Sequence, residues 1–244
     1  NAVTKKPFLG FSDTTLNHFM LHKVGLPTFY GQAFLPDVCE LAPEMLPYTK
    51  RYFEEFLKTG TIREVRPSEL WYNSRTDFSP EALGTELPAH KNSGFELLQG
   101  PTQFEGEILG GCIDSMYEMF SGWRYGDMPE VCRNYGLFPA KDDWRGKILL
   151  MESCEEYMPP ETYKKALETL QETGVFDAVS GVLVGKPMDD MYHAEYKKLL
   201  VSIIANKELP ILCNINVGHA QPRCILPFGV PAHVDADAQV IRFG

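Results

Sequence analysis

Several protein classes are excluded by what this chain lacks. It has no run of about 18 apolar residues, the length that a helix needs to cross a bilayer. Basic residues are the minority, with 23 Lys and Arg against 33 Asp and Glu and a formal net charge of −10. No cluster of Lys or Arg stands out. We therefore expect no broad surface for nucleic acid or for an anionic membrane.

A disulfide framework and a zinc site are also not expected. The six cysteines are scattered without a C-x-x-C pair, and no histidine lies at ligand spacing from a cysteine pair. They are Cys39, Cys112, Cys132, Cys154, Cys213 and Cys224. This usage is typical of reduced, mostly buried thiols, so we expect a cytoplasmic protein without a metal.

The composition that is present is that of an ordinary globular protein, with 44% hydrophobic and 23% charged residues. A length of 244 residues suits one large or two small domains. An apolar run begins as early as Pro7. We therefore expect the chain to start inside a longer protein, with the strands that flank this run outside it.

The first 60 residues alternate between predicted strands and helices, as the chain of a parallel α/β sheet does. The apolar run Pro7–Phe11 predicts a short buried strand. A helical pattern over 16–24 follows, and 26–31 predicts the next strand. A further helix is predicted over 43–58. We predict that residues 1–60 are part of an N-terminal α/β domain.

Residues 61–100 are polar, weakly periodic and broken by prolines, and we interpret them as an interdomain connection with a few short strands. A structureless stretch of this length is usually functional or disordered. Trp71 and Tyr72 favour a functional connection, because aromatic side chains are costly in a solvated loop. They would suit a cover over the domain junction equally well, and both interpretations stay open.

Residues 101–244 predict a second unit of mixed β structure with three helices. Strands are predicted at 107–111, 147–151, 179–184 and 210–214, helices through 116–120, 160–173 and 196–204, and a hairpin over 226–243. The segment 123–143, rich in Gly, Pro and aromatic residues, is predicted to be irregular. The alternation of strands and helices predicts an α/β fold.

Three side chains that can carry chemistry each follow a predicted strand. Ser12 follows the first strand, Glu152 the apolar run over 147–151, and His219 the strand over 210–214. In open α/β sheets, ligands bind at the carboxyl ends of the strands. A serine attacks an amide only if a base takes its proton; a histidine does this, and a carboxylate fixes the tautomer of the imidazole and stabilises its charged form. The order Ser, acid, His also matches that of α/β-hydrolases.

Each candidate also has an ordinary structural explanation. A Ser or Asp before a helix is commonly an N-cap, Glu152 could pair with a surface lysine, and His219 could bond a backbone carbonyl. His18 and His22, four residues apart, could form a metal pair, although a partly exposed helix face is the favoured interpretation. His233, in the middle of a predicted strand, is a weaker candidate.

Five short blocks resemble one known family. They are Gly10-Phe11-Ser12-Asp13-Thr14-Thr15, Gly110-Gly111, Leu150-Met151-Glu152-Ser153-Cys154-Glu155-Glu156, Gly218-His219-Ala220-Gln221-Pro222 and Leu226-Pro227-Phe228-Gly229. In this order they resemble the serine peptidase family of LD-carboxypeptidases and microcin C immunity proteins (MccF-like), over nearly the whole chain.

The resemblance implies a catalytic triad of Ser12, His219 and Glu152 that hydrolyses an amide without a metal or an organic cofactor. The backbone N–H of Asp13 would bind the oxyanion. It also implies a flavodoxin-like N-terminal α/β domain, of which residues 1–60 would be a remnant, followed by a C-terminal swivelling β/β/α domain. The site would lie between the two domains, usually in a homodimer.

Within the family, the long spacing between the serine and the acid resembles the immunity-protein branch. In that branch an aromatic side chain stacks on a nucleobase, and Trp71 or Tyr72 would do so here. Cys112 stands where the family usually has Asn, so that Asp114 would replace a lost substrate contact. Glu156 is a further expected contact with the substrate.

The resemblance therefore implies an amide hydrolase that cleaves an aminoacyl–nucleotide amide and so detoxifies a microcin C-type peptide antibiotic. A muropeptide LD-carboxypeptidase that removes terminal D-Ala in cell-wall recycling is the alternative, and a catalytically silent peptide-binding module is a further one. An esterase of the general α/β-hydrolase type is disfavoured, because no second glycine follows Ser12-Asp13.

In the family, a glycine-rich segment of the N-terminal domain supplies a second oxyanion donor, and the residues of this chain do not include it. Loss of one such donor lowers turnover by about 10²-fold to 10³-fold. We therefore expect this chain by itself to be nearly inactive, with Ser12 displaced from the Glu152–His219 pair.

Overall fold

The computed structural model of the protein describes residues 6–244. Residues 1–5, the start of the predicted first unit, lie outside the described residues.

The helices are α1 (Thr15–Lys23), α2 (Pro47–Thr59), α3 (Ile113–Ser121), α4 (Met128–Tyr135), α5 (Pro160–Glu172), α6 (Val175–Ala178) and α7 (His193–Ile203). The strands up to the middle of the chain are β1 (Leu9–Gly10), β2 (Thr28–Tyr30), β3 (Glu64–Val65), β4 (Leu70–Tyr72), β5 (Ala89–Lys91), β6 (Glu96–Gln99) and β7 (Gln103–Cys112). They are followed by β8 (Lys147–Glu152), β9 (Gly181–Gly185), β10 (Ile211–Ile215), β11 (Leu226–Phe228), β12 (Pro231–Asp235) and β13 (Val240–Phe243).

Two sheets and a hairpin organise these strands. A three-stranded sheet has the order β1-β2-β11, in which β1 and β2 are parallel and β11 is antiparallel to β2. An eight-stranded open sheet has the order β3-β13-β12-β7-β8-β9-β10-β6. Its centre, from β7 to β10, is parallel, and its outer strands are antiparallel. The predicted α/β fold is confirmed.

The core lies around the central parallel strands. Ile148, Leu149, Leu150 and Met151 of β8 are all fully buried, as a continuous apolar run in a sheet covered on both faces requires. On α5, the predicted inner face of Tyr163, Ala166, Leu167 and Leu170 is buried at helical spacing. The strands and helices with strong periodicity are therefore where the sequence places them, within a few residues at their ends.

Two segments differ from the prediction, and the first of them is 123–143. The stretch 123–143 contains α4, which has Pro129 in its first turn and Gly136 directly after its last residue. Its glycines and prolines mark the ends of a helix rather than an irregular loop. The predicted connection 61–100 contributes β3 and β6 to the eight-stranded sheet and forms the β4–β5 hairpin. The division of the chain into three segments stays a prediction.

The beginning of the predicted tail hairpin also differs. The hairpin of β12 and β13 forms as predicted, with Val234, Val240 and Ile241 buried. The residues just before it form β11, which is not part of the hairpin and pairs with β2 in the other sheet. This long-range pairing fixes the chain after His219 against the N-terminal residues.

The histidines of α1 do not form the partly exposed face that we expected. His18 is fully buried, with Nδ1 2.7 Å from Thr28 Oγ1 and Nε2 3.2 Å from the carbonyl oxygen of Gly10. Burial lowers the pKa of His18 to about 4, so the ring is neutral. The interpretation was wrong for His18, because its polar partners lie on strands that pack against the helix.

The cysteines carry no disulfide, as predicted: all six are free, and only Cys39 is exposed. Among residues 6–244, no helix is long and apolar enough to cross a membrane.

Replacing Trp144 with alanine should lower the free energy of unfolding by about 3–5 kcal/mol. Trp144 is fully buried, its ring centroid lies 5.4 Å from that of Phe138, and its Nε1 donates to the Pro139 carbonyl over 3.2 Å. Urea denaturation would measure the change. The matched control is Trp123→Ala, because Trp123 is 57% exposed; its effect should stay within about 0.5 kcal/mol. Equal losses for the two variants would contradict the prediction.

Candidate active site

The ends of strands from both sheets meet at one point. Ser12 lies just beyond β1, Glu152 is the last residue of β8, and His219 lies four residues beyond β10. Ser12 Oγ is 3.0 Å from Nε2 of His219, and Nδ1 of His219 is 2.7 Å from Oε2 of Glu152. The structure thus joins the three residues in one hydrogen-bonded chain, and the expectation that Ser12 is displaced from the pair was wrong.

The backbone at Ser12 is strained. Phe11 before it is extended (φ −152°, ψ −171°), and Ser12 itself has φ +63°, in the left-handed region that a residue with a side chain seldom adopts. Such a conformation costs about 1–3 kcal/mol and is usually retained where function requires it. The chain then continues through a 3₁₀ turn, Ser12–Thr14, into α1. This sharp strand-to-helix turn has the backbone geometry of a nucleophile elbow.

Two glycines allow the close approach of the surrounding elements. A Cβ on Gly218, which has φ +91°, would lie 2.4 Å from the carboxyl carbon of Glu152. Without it, the backbone N–H of His219 donates to Oε2 of Glu152 over 3.2 Å. A Cβ on Gly111, which has φ +142°, would lie 2.5 Å from Thr15 Oγ1. Gly111 therefore lets β7 pack against the start of α1.

The charges around His219 favour its protonated form. His219 is 5% exposed and Glu152 is 2% exposed. Burial by itself lowers the pKa of His219, but the carboxylates of Glu152 and Glu155 outweigh it and raise the pKa to about 10. The imidazole of this structure is therefore an imidazolium at neutral pH.

Tyr30 is a member of the site that the sequence did not reveal. Its hydroxyl donates to Oε1 of Glu152 over 2.6 Å and accepts the backbone N–H of Ser12 over 3.3 Å. Burial, followed by the charge of Glu152, raises the pKa of Tyr30 well above its usual value, so the hydroxyl stays protonated. The sequence predicted the strand that carries Tyr30, but no local signal indicates which acid its hydroxyl reaches.

Replacing Tyr30 with phenylalanine should lower kcat/KM for the reaction proposed below by about 10-fold to 100-fold, since a hydrogen bond to a charged group contributes about 1.5–3 kcal/mol. Glu152 would lose the donor that orients its carboxylate. Steady-state kinetics would measure the change. The matched control is Tyr52→Phe, because the buried Tyr52 hydroxyl accepts the Arg66 N–H over 3.0 Å, away from Glu152. Similar losses of kcat/KM in both variants would mean that Tyr30 contributes only through packing.

Arg223 supports the loop that carries His219. Its guanidinium donates to the carbonyl oxygens of Gly218 and His219, the latter over 2.6 Å, and pairs with Asp37 over 3.0 Å. Both partners of this ion pair are buried. The sequence contains no local pattern that links Asp37 to Arg223, because they are joined only by the fold.

The predicted contacts Cys112 and Asp114 lie beside the chain of three residues and face each other. Cys112 is buried at the end of β7, with Sγ 3.6 Å from Oδ2 of Asp114. Asp114 is also buried and accepts the backbone N–H of Cys154 over 3.0 Å. Burial raises the pKa of both groups. Their role in substrate binding stays a prediction.

Arg124, which sequence reasoning missed, lies beside the predicted contact Glu156. It approaches Asp13 at 3.6 Å and Glu156 at 3.2 Å, which places Glu156 close to the turn that carries Ser12. Trp71 stacks on His90 with a centroid distance of 4.2 Å, and the Lys186 ammonium lies 4.7 Å from its ring.

Tyr72, the neighbour of Trp71, ties the β4–β5 hairpin to the loop of His219. Its backbone N–H donates to the carbonyl oxygen of Gln221 over 3.0 Å. The expected roles of Trp71 and Tyr72 at a nucleobase stay predictions.

Three side chains of this region carry donor atoms of the kinds that bind metals. In residues 6–244, these atoms of Cys112, Glu152 and His219 lie within 4.8 Å of one another. The hydrogen bond between Nδ1 of His219 and Glu152 accounts for the proximity of these two residues without a metal. The spacing of Cys and His along the chain does not reveal the group, because three separate segments contribute to it. The expectation of no metal stays a prediction.

Comparisons with known proteins show to which family the chain belongs. The family model described as the LD-carboxypeptidase C-terminal domain matches residues 105–234. The solved structure of an MccF-like protein from Streptococcus pneumoniae in complex with AMP is 58% identical, with a TM-score of 0.97 over 99% of this chain and 70% of that one. The chain belongs to the family of LD-carboxypeptidases and MccF-like proteins.

More distant relatives of this MccF-like family extend the likeness. The microcin C7 self-immunity protein MccF of Escherichia coli is 26% identical over 95% of this chain and 63% of its own length. MccF solved in complex with aspartyl sulfamoyl adenosine is 25% identical, with a TM-score of 0.73 over 98% of this chain and 67% of that one. The chain thus spans 63% of the length of the curated Escherichia coli relative.

Proposed function

We propose that this protein is a serine-type amide hydrolase that uses Ser12, His219 and Glu152. The observation that carries the proposal is the continuous hydrogen-bonded chain from Ser12 Oγ through His219 to the buried carboxylate of Glu152. A hydroxyl becomes a nucleophile when a neighbouring base accepts its proton, and the carboxylate holds the base in the required tautomer. This arrangement supports acyl transfer.

In the proposed reaction, Ser12 Oγ attacks the carbonyl carbon of the amide while its proton moves to Nε2 of His219. The resulting oxyanion would be bound by the backbone N–H of Asp13. His219 then gives the proton to the leaving nitrogen, the C–N bond breaks, and the acyl group remains on Ser12 as an ester. A water molecule gives a proton to His219 and hydrolyses the ester, after which the proton returns to Ser12.

We propose an aminoacyl–nucleotide amide as the substrate, as in microcin C-type self-immunity. The solved relatives support this choice, since one is in complex with AMP and another with aspartyl sulfamoyl adenosine. Trp71, Cys112, Asp114 and Glu156 are the proposed contacts to the substrate.

The alternative substrate is a muropeptide with terminal D-Ala. The matching family model, described as an LD-carboxypeptidase domain, and a 26% identical relative from Vibrio cholerae named as a putative carboxypeptidase support it. A third possibility is a silent module that binds peptides without cleaving them.

The expectation that this chain by itself is nearly inactive stays a prediction, so an assay of the full-length protein on two substrates would test the proposal. Aspartyl sulfamoyl adenosine and a muropeptide tetrapeptide ending in D-Ala would be incubated separately, and the released nucleoside or D-Ala quantified by chromatography. We expect turnover of the first. Turnover of the tetrapeptide alone would replace the immunity function with that of an LD-carboxypeptidase, and turnover of neither would favour the silent module.

Two further proposals concern the setting of the reaction. The free cysteines support a reducing compartment, and we propose a cytoplasmic location. A homodimer is proposed from the family resemblance alone, and sedimentation analysis would test it.

A further inference from the structure

Ser12 and Glu155 contact the same nitrogen of His219. Oε2 of Glu155 lies 3.0 Å from Nε2 of His219, the same distance as Ser12 Oγ. Glu155 follows β8 on a turn, and its side chain is 62% exposed. The proposed mechanism gives this residue no role.

The contact with Glu155 prevents His219 from acting as a base. An ionised carboxylate only accepts hydrogen bonds. With Glu152 on Nδ1 and Glu155 on Nε2, both ring nitrogens donate, so the ring is an imidazolium with no lone pair for the Ser12 proton. Hydrogen bonding to His219 in turn lowers the pKa of Glu155 to about 2, which keeps the carboxylate charged. The base becomes available only when Glu155 leaves Nε2.

Of the groups that face His219, Glu155 is the exposed one. Glu152 and Cys112 lie behind the ring at the ends of β8 and β7, and both are buried. Arg223 is also buried and holds the backbone carbonyl of His219. The ring of Phe11 packs edge-on at 4.9 Å. On the outer side, Arg124 attracts the Glu155 carboxylate. Glu155 can therefore move into solvent without disturbing the buried network.

We propose that Glu155 is a specificity-determining residue that selects substrates with an ammonium group next to the scissile amide. The inference rests on the proposed function and names its substrate class. The ammonium forms an ion pair with Glu155 and draws the carboxylate away from Nε2. His219 then keeps one carboxylate partner instead of two and releases its Nε2 proton to solvent. Its lone pair faces Ser12 Oγ, and the acyl transfer can start.

A pair of substrates that differ only at the α-amine tests the proposal. Aspartyl sulfamoyl adenosine carries a free α-amine, and its N-acetyl derivative lacks the cation. We expect the wild-type protein to prefer the free amine by about tenfold or more in kcat/KM, equivalent to at least about 1.4 kcal/mol. In Glu155→Gln the preference should fall to within about threefold, mainly because the acetylated substrate is cleaved faster.

The control for the lost charge is Glu161→Gln. Glu161 is exposed in the first turn of α5, and no contact joins it to His219 in the described hydrogen bonds and ion pairs of residues 6–244. This variant should keep the wild-type preference. A preference that is equally strong in wild type and Glu155→Gln would overturn the proposal.

The pH dependence gives a second test. Removing one of two anions beside an imidazolium destabilises the charged form, so Glu155→Gln should lower the pKa of His219. The acidic limb of kcat/KM should shift to lower pH by the same amount, and NMR titration of the ring should report the shift without any turnover. An unchanged pKa would contradict the proposal.

A binding experiment separates failure of this inference from failure of the proposed function. In Ser12→Ala, which cannot turn over, aspartyl sulfamoyl adenosine should lower the NMR pKa of His219 and the N-acetyl derivative should not. The drop should largely disappear in Ser12→Ala/Glu155→Gln. If neither compound is cleaved by the wild type but this pattern holds, the hydrolase proposal fails and the role of Glu155 stands. If both compounds leave the pKa unchanged, the role of Glu155 fails.

Discussion

Ser12→Ala should lower kcat/KM for the cleaved substrate by about 10³-fold to 10⁶-fold, with little change in KM. The variant removes the only group that forms the acyl–enzyme bond in the proposed reaction, and leaves His219 and Glu152 in place. Single-turnover and steady-state assays would measure the loss, with whichever substrate the two-substrate assay identifies. Mass spectrometry of the wild type should detect the acyl adduct on Ser12, and the variant should show none.

The control for this experiment is Ser121→Ala at the exposed end of α3. It removes the same hydroxyl group from a surface position, so its activity should match the wild type. If Ser12→Ala retains wild-type hydrolysis, the assigned nucleophile is wrong. If the wild type binds the ligand without cleaving it, the protein is a binding module on the same fold.

Glu152→Gln should lower kcat by about 10⁴-fold, the loss expected when the triad acid becomes an amide and the histidine is held in the wrong tautomer. Oε2 of Glu152 accepts both the ring Nδ1–H and the backbone N–H of His219. An amide nitrogen at that position would donate a hydrogen bond to Nδ1 instead. Nδ1 would then have to be unprotonated in order to accept it. The proton would then sit on Nε2, where Ser12 needs a base.

Comparison with Glu107→Gln isolates this effect. Glu107 lies on the neighbouring strand β7 and pairs with Lys147 over 3.2 Å at a partly exposed position. Such surface pairs contribute about 0–1 kcal/mol, so this variant should keep its activity. More than about a tenth of wild-type kcat in Glu152→Gln would contradict the role of Glu152, since the expected loss is several orders of magnitude larger.

The two carboxylates at His219 differ in what holds them. Glu152 is buried, receives hydrogen bonds from Tyr30 and His219, and packs against the backbone of Gly218. It is fixed in place, as a group that orients a base must be. Glu155 lies on an exposed turn and has a single partner on the ring, so it can be displaced. This difference in burial supports the two distinct roles proposed for the same residue type.

The sequence correctly predicted the elements that depend only on the order of apolar and polar residues within a short segment. The apolar run of β8, the inner face of α5 and the hairpin of β12 and β13 depend on periodicity within a few residues. α4 was missed because proline and glycine are common both at the ends of helices and in loops. β11 was missed as a separate element because its partner, β2, lies far away in the chain.

For the site, the sequence by itself determined the α/β fold, the family and three residues at strand ends that suit acyl transfer. Strand ends are predictable from apolar runs, and the blocks around Ser12, Glu152 and His219 carry the family resemblance. Only the tertiary structure decided that these residues touch, that Tyr30 and Arg223 hold them, and that Glu155 competes with Ser12 for Nε2. Such contacts join residues far apart in the chain, and hydrogen bonds depend on distances of a few tenths of an ångström that no local pattern encodes.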